Sequence, residues 1–168
     1  MIGRITMICN IKRITAVDSK IDSIFSELSF LRTEYPDFYS WFYDKVVPEL
    51  SNGSREVFIA QTPLSFGKVN GVLVLKNTSS EKKICTLYVD KESRMNGIGQ
   101  RFIDIAFNEL NTDKPLITVS DNRISDFSRL LEKNNFEIVD SLSNYYSENH
   151  VEYTFNGHLY LPENVKYA

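Results

Sequence analysis

The sequence has little of the material from which metal sites and disulfide scaffolds are made. It holds two cysteines, Cys9 and Cys85, and two histidines, His150 and His158, in 168 residues. The cysteines stand far apart, with no CxxC and no Cys/His cluster. That excludes the usual zinc spacings and fits two buried thiols in a reducing compartment. No run of about 18 apolar residues occurs, so no membrane-spanning helix is expected. The opening MIGRITMICNIKRIT has no long apolar run and no small-residue cleavage site. No signal peptide is therefore expected, and the expected location is cytoplasmic. An excess of positive charge is also missing. Nineteen Lys and Arg against 22 Asp and Glu leave a net charge of −3, whereas nucleic-acid binders usually show a basic face. Neither a membrane nor nucleic acid is an expected partner. No repeat, low-complexity segment or linker interrupts the chain, and its length suits one domain spanning 1–168.

What the chain does have is aromatic side chains and alternating short apolar runs. Eleven Phe and nine Tyr are enough to fill a core and to line a cleft. Residues 4–9 read as a first strand. Residues 18–33 read as a helix with Asp18 as its N-cap and Ile21, Ile24, Phe25, Leu28 and Leu31 at helical spacing. A second, aromatic helix is expected over 37–50, with Pro48 disturbing its last turn. REVFIAQ (55–61), VNGVLVLK (69–76) and KICTLYV (83–89) read as three strands joined by short polar loops, an antiparallel meander. The pattern then changes to a polar loop (90–99), a helix to about Thr112, a strand (114–120), a helix (124–134) and two strands, FEIVDSL and VEYTFNG. This order predicts an α+β fold with a mixed, mainly antiparallel central sheet flanked by helices.

The most informative segment is Leu87, Tyr88 and Val89 followed by Arg94, Met95, Asn96, Gly97, Ile98, Gly99 and Gln100. A strand feeds a glycine-bearing loop, and the loop opens a helix. Backbone N–H groups at a helix start point outward, and the helix dipole favours negative charge there. Gly97 and Gly99 allow an anion to approach the backbone, and Arg94 can add a charge-assisted contact. The plainer account, a tight turn before an ordinary helix, fits the same residues. The segment lacks the GxGxxG spacing and the early βαβ unit of a dinucleotide fold.

With its place after the third meander strand, this segment resembles the GNAT acetyltransferase superfamily. There the pattern [R/Q]-x-x-G-x-[G/A] lies between the fourth strand and the third helix, and Arg94 to Gly99 fits it. Motif and element order agree over about 55–142. The resemblance implies a GNAT-like acyl-CoA N-acyltransferase fold whose fourth and fifth strands, here 83–89 and 114–120, splay apart. It further implies that acetyl-CoA lies in that wedge. The backbone of Leu87 and Val89 would pair with the pantetheine arm, Arg94–Gln100 would hold the pyrophosphate, and Asn122 would touch the arm. A cap for the following helix is an equal reading of Asn122.

The chain departs from the family at the usual catalytic positions. The helix Tyr that protonates the departing thiolate would lie five residues before the Phe of a Gly-Phe pair. Here the pair is Asn135-Phe136 and the Tyr position is Leu131. The Glu that many members carry on the fourth strand aligns with Lys83. Glu81, two residues earlier, is a candidate base or a turn residue. Tyr145 and Tyr146, between the last two strands, are candidate acids or a solvent-facing hairpin. Strand alternation puts Cys85 on one face with Leu87 and Val89. His150 and His158 are further bases or surface residues.

By the same resemblance, the first two helices wall the acceptor site. The segment Phe30–Phe42 supplies Tyr35, Phe38, Tyr39, Trp41 and Phe42 beside Glu34 and Asp37, a composition for a cationic amine or for plain core. The expected activity is acetyl transfer from acetyl-CoA to a primary amine of a small molecule, peptide or protein by direct attack. Two alternatives stand beside it. One is a non-catalytic CoA-binding or regulatory module. The other is a toxin-like enzyme acetylating aminoacyl-tRNA, which would use Lys82, Lys83, Lys91, Arg94 and Arg101. A homodimer through about 135–155 follows from the resemblance alone.

Overall fold

The computed structural model describes residues 9–63 and 66–159. Its strands are β1 (Asn10–Ile14), β2 (Arg55–Gln61), β3 (Gly71–Asn77), β4 (Lys82–Val89), β5 (Leu116–Ser120), β6 (Ile138–Ser143) and β7 (Val151–Phe155). They form one sheet in the order β1-β2-β3-β4-β5-β7-β6. Every neighbouring pair is antiparallel except β4–β5, which is parallel. The helices are α1 (Ile21–Leu28), α2 (residues 38–49), α3 (Ile98–Leu110) and α4 (Ile124–Lys133).

The alternation within β3 explains why both faces are covered. Leu73 and Leu75 point to one side and pack with Phe102, Ile103 and Ala106 of α3 and Leu131 of α4. Val72 and Val74 point to the other and pack with Ile24 and Leu28 of α1 and Phe42 and Val46 of α2. Phe102 has no exposed surface, and burial of such a ring stabilises the fold by roughly 1.5–3 kcal/mol. The ring also dictates Gly71: a Cβ there would stand 2.9 Å from both the Phe102 ring and the Tyr88 carbonyl oxygen.

Two irregularities shape the middle of the sheet. Val74 pairs with Thr86 but Leu75 pairs with Ile84, so Cys85 is an extra residue in β4, a β-bulge. Beside it, β4 and β5 pair only at Lys83↔Leu116 and Ile84↔Ile117. Beyond Ile84 the two parallel strands separate, and the rest of β4 faces an opening.

Several sequence expectations change. The strand expected at 4–9 falls, apart from Cys9, outside the described residues, and β1 (Asn10–Ile14) is a strand that the sequence pattern does not predict. The charges of Lys12 and Arg13 mask a strand that sits at the sheet edge, where charged side chains are tolerated. Asp18 is not the N-cap of α1. Its carboxylate accepts the Lys20 N–H at 2.9 Å in a turn, and the helix begins at Ile21 without a side-chain cap. After Leu28 the chain tightens into a 3₁₀ turn over Ser29–Thr33. The disturbance expected in the last turn of α2 lies further upstream, as a widened π segment over Trp41–Val46. Pro48 has no N–H to donate back into that turn. The bulge overturns the facing of Cys85. It packs with Tyr88 on the α1–α2 side, whereas Leu87 and Val89 pack on the α3–α4 side. Among the described residues no helix is long and apolar enough to cross a membrane.

Candidate active site

The opening between β4 and β5 continues into a cleft of about 470 Å³ under α2 and the 30–37 turn. One wall is the exposed side of β4. Asp90 N–H donates to the Asn70 carbonyl at 2.8 Å, on the β3 side. Strand alternation then turns the N–H and C=O groups of Leu87 and Val89 away from β3, into the opening. Arg94 Nε already donates to the Val89 carbonyl there, at 3.1 Å. Tyr88 points the other way, and its hydroxyl donates to Glu27 at 3.0 Å. Burial together with that carboxylate pushes the Tyr88 hydroxyl well above its ordinary pKa.

The loop after β4 is braced from below. Asp90 is buried, and its carboxylate accepts the Ser93 N–H at 2.8 Å and the Asn70 side-chain N–H at 3.0 Å. Burial raises the Asp90 pKa, but these hydrogen bonds and Lys68 outweigh it and hold the group below the usual range. Gly97 has φ +78° and opens α3, with open space where a Cβ would stand. Ile98 anchors the first turn in the core, and Met95 projects into solvent. The first-turn N–H groups of α3 lack intrahelical acceptors. Gly99 lies on the side of α3 that faces α4, where a Cβ would come to van der Waals contact with Leu130 at 3.4 Å. The Gln100 amide is engaged with that of Asn134 at 2.8 and 2.9 Å. Asn96 donates to the Ser93 carbonyl at 3.2 Å. Arg94 stands 3.7 Å from Asp126 at the start of α4.

At the closed end of the opening the groups are side chains. Lys83 Nζ lies 3.4 Å from the Tyr146 hydroxyl. Tyr146 stacks edge-on against Tyr145 at 4.4 Å and Tyr35 at 5.3 Å between ring centroids. Burial pushes all three hydroxyls up, Tyr146 and Tyr35 strongly. Next to them, on β7, stands Glu152, with only 4% of its surface exposed. Its Oε1 has no hydrogen-bond partner among the described residues. Burial raises its pKa to about 7, against the opposing pull of Thr118 and Lys83. Glu152 and Asn122 share a small side cavity with Glu34, Tyr35, Tyr145, Tyr146 and His150. Ser120 donates to Asn122 Oδ1, and α4 begins after Arg123 with no side-chain cap, so Asn122 is not the cap of that helix.

Sequence reasoning overlooked Glu152, which lay unremarked inside VEYTFNG. The available signal was strand period. Tyr153 and Phe155 pack on the α3–α4 side, so Glu152 and Thr154 fall together on the opposite side, where Glu152 reaches the small side cavity. Glu81 ends the β3–β4 turn, ion-paired to Lys76 at 2.9 Å and lining the same cleft. Cys85 also lines the cleft, half-buried, and its Sγ accepts from Arg55 at 3.0 Å. His150 pairs with Asp121 at 3.0 Å and His158 with Asp140 at 3.3 Å. Leu131 is 1% exposed in the α3–α4 core.

The expected acceptor wall is present in part. Phe30, Tyr35, Phe38 and Trp41 line the cleft. Phe42 is fully buried, and Tyr39 packs outward against Phe25 and Tyr43. Glu34 is not a free carboxylate: Arg123 grips it with contacts of 2.7, 3.1 and 3.2 Å while covering the Phe30 ring. The proposed RNA-facing cations do not gather in one place. Lys82 and Lys83 stand at the start of the eight-residue β4 and Arg94 beyond its far end, while Arg101 donates to the Cys9 carbonyl.

No family model matches the sequence, and no curated protein matches it. Solved structures do match. A protein from Desulfovibrio desulfuricans assigned to the GNAT acetyltransferases shares 11% identity and superposes over 88% of this chain and 97% of its own, with TM-score 0.69. The PaiA N-acetyltransferase of Thermoplasma acidophilum, solved with coenzyme A, shares 16% over 89% and 98%, with TM-score 0.64. An aminoglycoside 6'-N-acetyltransferase complexed with coenzyme A shares 17% over 87% and 94%, with TM-score 0.62. At these identities the likeness is one of architecture, and the chain has the fold of the GNAT acetyltransferases.

Proposed function

We propose that this protein is an acetyl-CoA-dependent N-acetyltransferase acting on a primary amine. The observation that carries the reading is the separation of β4 from β5 after two residue pairs, which turns the Leu87 and Val89 backbone groups into the opening. A pantetheine arm has amides spaced to meet such an edge as an added strand would. The pyrophosphate would lie at Arg94–Gln100, on the first turn of α3 beside Gly97, with Asn122 near the far wall. Acetyl-CoA supplies an acetyl group already activated as a thioester.

The chain's own residues supply proton handling and position. Glu152 accepts the proton an attacking amine must lose, since its pKa of about 7 leaves a large basic fraction near neutrality. It suits that task better than Glu81, which Lys76 already engages. Tyr145 and Tyr146 keep their protons at neutral pH and can donate to the sulfur, the task that Leu131 cannot perform. The rings of Phe30, Tyr35 and Trp41 line the cleft and would shield the reacting groups from water once substrates fill it. The test is release of free thiol from acetyl-CoA over a panel of primary amines. Thiol should appear only when an amine is present. Tight acetyl-CoA binding without transfer to any amine would instead favour a non-catalytic CoA module.

A further inference from the structure

The cleft floor carries an arrangement that the acetyltransferase reading does not require. Arg55 on β2 pairs across the sheet with Lys76 on β3, and Lys76 pairs with Lys83 on β4. Directly opposed residues share a face, so three cations cross the floor in one row, and all three line the cleft. Like charges set opposite each other repel, so such a row is costly unless something neutralises it. Glu49 answers Arg55 at 2.8 Å and Glu81 answers Lys76 at 2.9 Å. Among the described residues Lys83 makes no ion pair, and its hydrogen-bond partner is the neutral Tyr146 hydroxyl.

Lys83 stands where the two strands still pair, at the base of the opening, next to the proposed proton acceptor. Of the cleft's other carboxylates, Arg123 engages Glu34 and Lys76 engages Glu81, while Asp37 is exposed at the start of α2. A polycationic amine would therefore bring a further positive charge against Lys83, with Glu152 the carboxylate beside it. An amine with an anion a few ångströms away would meet one charge of each sign.

We infer that the acceptor is an anionic amine, a small molecule bearing a carboxylate or phosphate close to its amino group, with Lys83 receiving the anion. This rests on the acetyltransferase reading and narrows it to a substrate class. It also replaces the expectation that the aromatic, acidic 30–42 segment selects a simple cation.

The test uses the full chain saturated with CoA and titrated calorimetrically with matched product pairs. The carboxylate arm pairs N-acetylated amino acids of graded size with their amides. The phosphate arm pairs N-acetylphosphoethanolamine with N-acetylethanolamine. In at least one arm the anionic member should bind about tenfold more tightly, the usual scale of a hydrogen-bonded charge contact. Lys83→Gln should erase the difference and Lys83→Arg should keep it; the arm with the larger ratio identifies the anion. Equal binding within both arms, no binding by any member, or a preference that survives Lys83→Gln overturns the inference. CoA titration of each protein is read separately. If CoA binds and the anion makes no difference, this inference alone falls. If CoA does not bind, the donor reading fails and this inference falls with it.

Discussion

The two ends of the β4–β5 opening present different kinds of chemistry. At the α3 end the groups offered are backbone: the Leu87 and Val89 amides and carbonyls, the helix start, and Gly97 in its left-handed conformation. At the closed end they are side chains from three separated parts of the chain: Tyr35, Lys83, and Tyr146 with Glu152. The first end can hold a ligand whatever side chains decorate it. The second is defined by its side chains and has no function without them. Substitutions should therefore divide sharply between the two.

The largest effect is expected at the closed end. Glu152→Gln should lower kcat by about 10²–10⁴-fold, the range for removal of a general base, with acetyl-CoA binding unchanged. The wild-type rate should rise with pH through a midpoint near 7, and that rise should vanish in the variant. A kcat loss accompanied by an equal loss of acetyl-CoA affinity would break the division.

Stability should move the opposite way. The Glu152 pKa is raised from 4.5 to about 7, so the folded state prefers its protonated form. That preference is fully available below pH 4.5 and is lost as pH rises through 7. Glu152→Gln should melt like wild type near pH 4 and be more stable above pH 7, by up to about 3 kcal/mol. Thermal melts across this range check the sign.

Effects at the open end should be smaller for side chains. Arg94 is partly exposed and spans the Val89 carbonyl and Asp126. Arg94→Ala should weaken acetyl-CoA binding by about three- to tenfold, and less so in high salt. Met95→Ala, at a side chain 87% exposed, should change binding by less than about twofold. A large loss at Met95 would mean that side chains, not backbone, hold the donor.

The same division explains what the sequence revealed. The α3 end was legible as a strand, glycine loop and helix start because its information is local. A strand, an Arg, a Gly with positive φ and an apolar helix follow one another within 87–103, and backbone conformation leaves a compositional trace. The order of elements along the chain, and the β2–β3–β4 meander, were legible for a similar reason, through short apolar runs such as VLVL bounded by polar turns. The closed end was not legible, because contact between Lys83, Tyr146 and Glu152 depends on which strands become neighbours, and β7 inserts between β5 and β6. The bulge at Cys85 added a local error. One extra residue reversed the facing of everything before it, so alternation counted from Val89 put Cys85 on the wrong side. β1 was missed because an edge strand can carry Lys12 and Arg13 and so lacks the apolar run that marks a central one.

The most direct test of the account is calorimetric titration of acetyl-CoA into the wild-type protein and into Gly97→Trp. Gly97 has φ +78°, and its open side faces the proposed anion position, so a large side chain both strains the turn and fills that space. The account predicts micromolar or tighter binding by wild type and a loss of at least about tenfold in Gly97→Trp, with the variant still folded by circular dichroism. No binding by the wild-type protein in low salt, or equal binding by both, would contradict it.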